Sequence, residues 1–190
     1  MSNEGKRKDI IKALITGLID DAQSLRLDAA EMPRRVNWRA KVDINDTGKL
    51  IGKKAAHLYS LRVLISLMGA RFGEDWRFEV SDPDDGERKE KAEIQRVKEI
   101  DASPVREFLF RILEGVIAER PEIHFVAQTN EYGWREYAFT ILATKADYSR
   151  LTTPVMVGRE KLAPVAALGT LFRAYGRQQG VSFTIQVPPL

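Results

Sequence analysis

The chain has 190 residues, of which 44% are hydrophobic, 30% charged and 8% aromatic, the balance of a globular protein and not of a disordered or collagen-like one. It contains no cysteine and only two histidines, His57 and His124, which excludes a disulfide framework, a thiolate nucleophile and a sulfur-ligated zinc site. The net charge of +3 is too small to identify a partner by itself.

The N-terminus, MSNEGKRKDII, mixes charges and lacks the apolar segment of a signal peptide. No apolar run approaches the roughly 20 residues that span a bilayer. A cytoplasmic protein with no membrane partner is the expectation. Ile11, Leu14, Ile15, Leu18 and Ile19 recur at helical spacing. Leu25, Leu27 and Ala29 alternate as a half-buried strand would, and Trp38, Ala40, Val42 and Ile44 form a second alternating stretch. Asp46 or Thr47 can cap a short helix running through Ile51. Gly52-Lys53-Lys54-Ala55 then makes a tight turn into a helix over about 56–70, and Trp76, Phe78 and Val80 read as a strand.

The segment SDPDDGERKEKAEIQRVKEIDASP opens with turn residues. Ala92, Ile94, Val97 and Ile100 predict an exposed helix over 87–100. Ser103-Pro104 starts the next helix, with Leu109, Ile112, Leu113, Val116 and Ile117 on one face and Pro121 as a stop. Ile123, Phe125 and Ala127 alternate. Asn130 to Gly133 reads as a hairpin-like turn with Trp134 after it. Either Ala138, Thr140 and Leu142 or Tyr137, Phe139 and Ile141 form the next strand's inner face. A helix pattern through Val165, Leu168, Leu171 and Phe172 and a strand pattern through Phe183, Ile185 and Val187 complete the chain.

These elements repeat. At an offset of 98, Ile11, Leu14, Ile15, Leu18 and Ile19 become Leu109, Ile112, Leu113, Val116 and Ile117, and Gly17 becomes Gly115. Leu25, Leu27 and Ala29 map at the same offset onto Ile123, Phe125 and Ala127. Later the offset is 106 to 107, aligning Gly52 with Gly158, Leu61 with Leu168, Gly73 with Gly180 and Trp76 with Phe183. The drift implies about eight extra residues in the second copy, expected within 143–154. The fold expected is α+β: two repeats, each a small three-stranded sheet covered by helices. The expected boundaries are 8–81, a charged helical linker at 82–103, and 104–190. Each half is near the lower limit for a self-sufficient core, so the halves are expected to pack together.

Charge is distributed unevenly. Nine basic residues and two acids lie between Pro33 and Phe72, eight acids and five bases from Ser81 to Ala102, and five bases and one acid from Ser149 to Gln179. Two basic segments flanking an acidic one suit a polyanionic partner. The turn at 52–55 is where that charge meets a binding geometry. A helix N-terminus presents free N–H groups and partial positive charge, a glycine allows close approach of a phosphate, and two lysines attract it.

The stretch DTGKLIGKKAAHLYSLRVLI resembles the core of a K-homology (KH) domain, with Asp46, Gly48, Ile51 and Gly52 in the places that family uses. The order of elements is similar to the type II form of small bacterial KH RNA chaperones, a resemblance that implies a bacterial or phage-infected cell. The resemblance covers 8–81, and reaches 105–187 through the internal repeat as a degenerate second copy. It implies single-stranded RNA binding, in mRNA handling, RNA chaperoning or a translation-related process. A GXXG loop clamps about four nucleotides and an adjacent groove, here beside Ile51, takes the bases. The site residues implied are Lys49, Gly52, Lys53, Lys54, Ala55, His57 and Arg62, with Arg159 and Lys161 in the second copy. Two departures stand out. Ala55 replaces the second glycine, and the second loop, Gly158-Arg159-Glu160-Lys161, lacks it as well and adds an acid, so weak binding by this mode is expected there.

Other readings stay open at this level. Lys49 and Arg62 are exposed candidates for phosphate contact. His57 either meets a nucleotide or is a half-buried structural histidine. His124 alternates out of phase with its neighbours and should face solvent, Trp38, Trp76 and Phe78 should be core, and Trp134 is a candidate exposed contact. Single-stranded DNA is an alternative ligand, and a scaffold that retains the fold but binds proteins or itself is another. No Walker motif, nucleophile elbow, dinucleotide fingerprint or paired-histidine metal spacing is present. Neither an enzyme nor a cofactor is expected.

Overall fold

The computed structural model describes residues 3–81, 100–129, 135–157 and 160–189. The first half comprises α1 (Asn3–Thr16), β1 (Arg26–Met32), β2 (Arg35–Lys41), α2 (Ile44–Ile51), a 3-10 turn (Lys53–Ala55), α3 (Ala56–Arg71) and β3 (Asp75–Val80). The second half comprises α4 (Ser103–Val116), β4 (Glu122–Thr129), β5 (Arg135–Leu142), α5 (Lys145–Thr152), β6 (Val155–Val157), β7 (Glu160–Leu162), α6 (Pro164–Gln178) and β8 (Ser182–Gln186). The linker helix expected over 87–100 falls almost wholly, and Trp134 with its turn wholly, outside the described residues.

Each half holds a three-stranded sheet, ordered β1-β2-β3 and β4-β5-β8. In both, the first pair is antiparallel and the second parallel. The parallel pair follows from topology, because α2 and α3, or α5 and α6, carry the chain back across the sheet between its two strands. Period-two burial on the central strands builds the inner face. Val36, Trp38 and Ala40 point inward in the first half, and Tyr137, Phe139 and Ile141 in the second, which settles the register of that strand. Trp76 and Phe78 are buried as expected, and Trp38 meets Trp76 edge-on with ring centroids 5.5 Å apart. Gly73 and Gly180 both take φ near +73° where the chain leaves α3 and α6, a conformation that costs glycine no steric penalty.

Several local expectations shift. The second strand ends at Lys41, and Ile44 begins α2 instead of closing the strand. Asp43, not Asp46 or Thr47, caps α2, its side chain accepting the Asn45 N–H at 2.8 Å. On the first strand Leu27, opposite Ala40, occupies the place that Ile123, opposite Ile141, holds in the second half. That offset is 96 instead of 98, and Phe125 is 38% exposed instead of core. An alternating strand carries no internal mark against a two-residue slip. Helix α4 ends at Val116, well before Pro121, where Ile117 turns extended.

The extra residues of the second half also lie elsewhere. Helices α2 and α5 are both eight residues long, with Asp46 and Asp147 each third in its helix, so the start of the 143–154 region is not the place. Four residues, 52–55, join α2 to α3, but eleven, 153–163, join α5 to α6. Most of the added length is the β6–β7 hairpin, and the rest lies in the β4–β5 connection, five residues against the two that join β1 to β2. Gly158 therefore falls between two strands and is not the counterpart of Gly52, and Lys161 lies on β7 instead of at a helix start.

The halves share one hydrophobic core. Helices α1, α3, α4 and α6 meet across it in a reciprocal pattern. Gly17 lies beside Phe108 and Tyr175, while a side chain at Gly115 would come within 2.9 Å of Met68 Cγ. Arg71, at the end of α3, donates to the carbonyls of Glu114 and Ile117. Gln178, the equivalent residue of α6, donates to the Leu18 carbonyl at 2.5 Å. Each half thus closes the frayed helix end of the other. No helix among the described residues is long and apolar enough to cross a membrane.

Candidate nucleic-acid interface

The turn between α2 and α3 is a run of unusual backbone. Gly52 takes φ 74°, ψ 171°, and its N–H bonds the Gly48 carbonyl at 2.9 Å. Lys54 (φ 53°) and Ala55 (φ 61°) both sit in the left-handed region, which costs a residue with a Cβ about 1–2 kcal/mol. The Ala55 N–H returns to the Gly52 carbonyl at 3.1 Å. No side chain caps the first turn of α3. The outcome is a narrow projection that lifts Lys53 and Lys54 into solvent at the positive end of a 16-residue helix.

His57 belongs to the inside of this turn. Its Nδ1 donates to the Lys49 carbonyl across 2.6 Å, and the ring fills the space over Gly52. A Cβ at Gly52 would lie 2.6 Å from His57 Cγ. The histidine is half-buried and acts as a strut that holds the end of α2 against the start of α3.

Lys49 and Arg62, expected to be exposed, are occupied. The Lys49 ammonium is bridged between Asp20 and Asp46, the latter at 2.9 Å. Partial burial opposes its charge, but the two carboxylates outweigh that and hold its pKa above the ordinary lysine value. Arg62 is half-buried and fastens α3 to the sheet, its Nε donating to the Phe78 carbonyl at 3.0 Å. Ile51 closes α2, half-buried, beside the turn.

Asp46 carries a role that local reading missed. It is 2% exposed and accepts the backbone N–H groups of Asp20 (3.1 Å) and Asp21 (2.9 Å). Burial alone would raise its pKa, but those two N–H groups and Lys49 reverse the sign and hold it below the usual carboxylate range. Asp147 repeats the arrangement with Ala118 (3.0 Å) and Glu119 (3.2 Å), and its pKa is likewise lowered against burial. Both aspartates staple the chain after the first helix of their half to the start of the next helix. The available signal was the pair itself, two aspartates each three residues into an eight-residue helix.

Among the expected site residues, Gly52, Lys53, Lys54, Ala55 and His57 converge on one turn. Lys161 is exposed on the hairpin of the other half, and Arg159 lies outside the described residues. Residues 8–80 match the family model described as "KhpA/KhpB, KH domain". The first half is a KH domain. The RNA-binding protein KhpA of Bacillus subtilis (strain 168) is 28% identical over 75 residues, covering 40% of this chain and 93% of that protein. The matched stretch runs from α1 through β3 and includes the turn at 52–55. The second half repeats the element order and strand pairing of the KH domain with a hairpin where the loop would be.

Proposed function

We propose that this protein is a non-enzymatic single-stranded RNA-binding protein, acting in mRNA handling, RNA chaperoning or a translation-related process. The first half grips the sugar-phosphate backbone at Gly52–Ala55 and lays bases in the groove beside Ile51 and α3. The second half is a degenerate KH copy that lacks the gripping loop. One observation carries the reading: two exposed lysines project at the uncapped start of α3, inside a KH domain. Lys53 and Lys54 make no ion pair among the described residues, so their charge is available to a phosphate. Lys49 is left out of the contact set because two carboxylates neutralise it. His57 shapes the loop and does not meet the nucleotide.

The ligand's negative charge makes binding salt-dependent, with a slope of about −0.7 in log affinity against log salt for each single-strand phosphate neutralised. Lys53→Asp combined with Lys54→Asp should lower affinity by at least about tenfold, or about 1.4 kcal/mol. It should flatten the salt slope by about 1.4 and leave the circular dichroism spectrum unchanged. Fluorescence anisotropy with a labelled single-stranded RNA, competed with the matched DNA, reads both affinity and preference. Full RNA affinity in the folded double variant would overturn the loop assignment, and stronger competition by DNA would reassign the ligand.

A further inference from the structure

The β6–β7 hairpin has no counterpart in the first half. Its strands pair Val155 with Leu162, Met156 with Lys161 and Val157 with Glu160. Val157 and Leu162 pack against the core, whereas Met156 is 60% exposed and Lys161, its cross-strand partner, is exposed as well. Directly paired residues on an antiparallel ribbon share a face. The hairpin thus turns Val157 and Leu162 inward and a methionine–lysine pair outward.

The surface on which it packs is decisive. Both strands lie against α3, the helix of the other half that begins at the Gly52–Ala55 loop. Sixteen residues make α3 about 24 Å long, so the loop and the hairpin are attached to one helix within that span. The surrounding charge is mostly positive, with Glu160 of β7 as the acid on the hairpin itself. Lys145, Arg150, Lys161, Arg173 and Arg177 are all exposed on α5, β7 and α6, while Asp147 of α5 is buried and internally bonded. Lys161 makes no ion pair among the described residues. An excess of exposed basic residues in the half whose hairpin packs on the loop's own helix fits an extended polyanion better than a folded protein partner.

We propose that the hairpin is a second contact for the same RNA strand that the loop grips. Lys161 meets a phosphate, and Met156 packs its polarizable thioether against a base. The second half then extends the track of the first instead of duplicating it. The chain engages one strand longer than the four nucleotides of a single KH loop, within the range of single-strand sites. This rests on the reading of the loop given above.

Oligonucleotide length separates the two claims. Anisotropy is measured with a four-nucleotide and an approximately twelve-nucleotide single-stranded RNA on the full chain, on Lys161→Glu, on Met156→Ala and on the Lys53→Asp, Lys54→Asp double variant. All substitutions are at exposed positions, and thermal unfolding verifies that each variant is folded. The expected result is that Lys161→Glu weakens the longer RNA about five- to tenfold and reduces its salt slope by about 0.7, with the short RNA unchanged. Met156→Ala should weaken the longer RNA alone, with its salt slope intact. If the double variant abolishes binding while Lys161→Glu leaves the longer RNA unaffected, the hairpin contact is overturned and the loop stands. If Lys161→Glu weakens both lengths equally, the hairpin acts through long-range charge and the extended track is overturned. If the double variant binds both RNAs normally, the loop reading itself fails.

Discussion

Replacing Asp46 with asparagine tests how the KH domain is held together. The substitution conserves shape but supplies one acceptor oxygen where the carboxylate has two. In the native protein one oxygen accepts the Asp20 N–H at 3.1 Å and the Lys49 ammonium at 2.9 Å, and the other accepts the Asp21 N–H at 2.9 Å. Whichever way the amide turns, its NH2 group faces a donor. If the amide oxygen keeps the first place, the Asp21 N–H is orphaned. If it takes the second, the Asp20 N–H and Lys49 lose their acceptor. A hydrogen bond to a charged group contributes about 1.5–3 kcal/mol, and a buried donor left unsatisfied costs about 1–3 kcal/mol. Lys49 keeps Asp20 as a partner, which recovers part of the loss. The net destabilisation is about 2–4 kcal/mol at neutral pH.

The sign of the pH dependence follows from the lowered pKa of Asp46. A group with a depressed folded pKa contributes stability that is fully present above its unfolded value, about 3.9 for aspartate, and is lost as pH falls through the folded one. The gap between native and Asp46→Asn stability should therefore be constant from pH 7 down to about 5 and close below about 4. Guanidinium unfolding followed by circular dichroism across that range measures it. An unchanged midpoint at neutral pH, or a gap that persists undiminished in acid, would refute the account. Asp147→Asn should behave alike, since its carboxylate holds the N–H groups of Ala118 and Glu119 in the same way.

Three further substitutions probe the turn. Gly52→Ala places a Cβ 2.6 Å from the His57 ring at a φ of +74°, and should cost about 1–3 kcal/mol in thermal or denaturant unfolding while weakening RNA binding. Ala55→Gly relieves a left-handed alanine (φ 61°) worth about 1–2 kcal/mol, less about 0.5–1 kcal/mol for the added freedom of the unfolded chain. Its melting temperature should be unchanged or slightly raised, and a clear fall would contradict the strain. Lys49→Met removes the bridge between Asp20 and Asp46 and should lower stability by about 1–2 kcal/mol. Its RNA affinity and salt slope should stay near native, in contrast to the Lys53 and Lys54 variant. A loss of affinity as large as in that variant would place Lys49 among the phosphate contacts.

Much of this protein was legible in its sequence because the information is local. Helical faces such as Leu61, Leu64 and Ile65, matched by Leu168, Leu171 and Phe172, are written in a period set by backbone geometry, and all six are buried. The repeat, the two three-stranded sheets and the glycine at the start of the basic turn were readable for the same reason. Tertiary structure decided what local pattern leaves open. The register of β1 depends on its partner strand, since alternation looks the same after a slip of two residues. The extra length of the second half could not be placed by aligning Gly52 with Gly158, because glycine suits a helix turn and a hairpin equally. The fate of each lysine depended on distant carboxylates. Lys49 resembles Lys53 and Lys54 in sequence, but the turn after α1 brings Asp20 to it from 29 residues away, whereas Lys53 and Lys54 make no ion pair among the described residues. Composition and periodicity determined that a basic, glycine-led turn precedes a helix, and long-range packing determined which of the neighbouring charges are available.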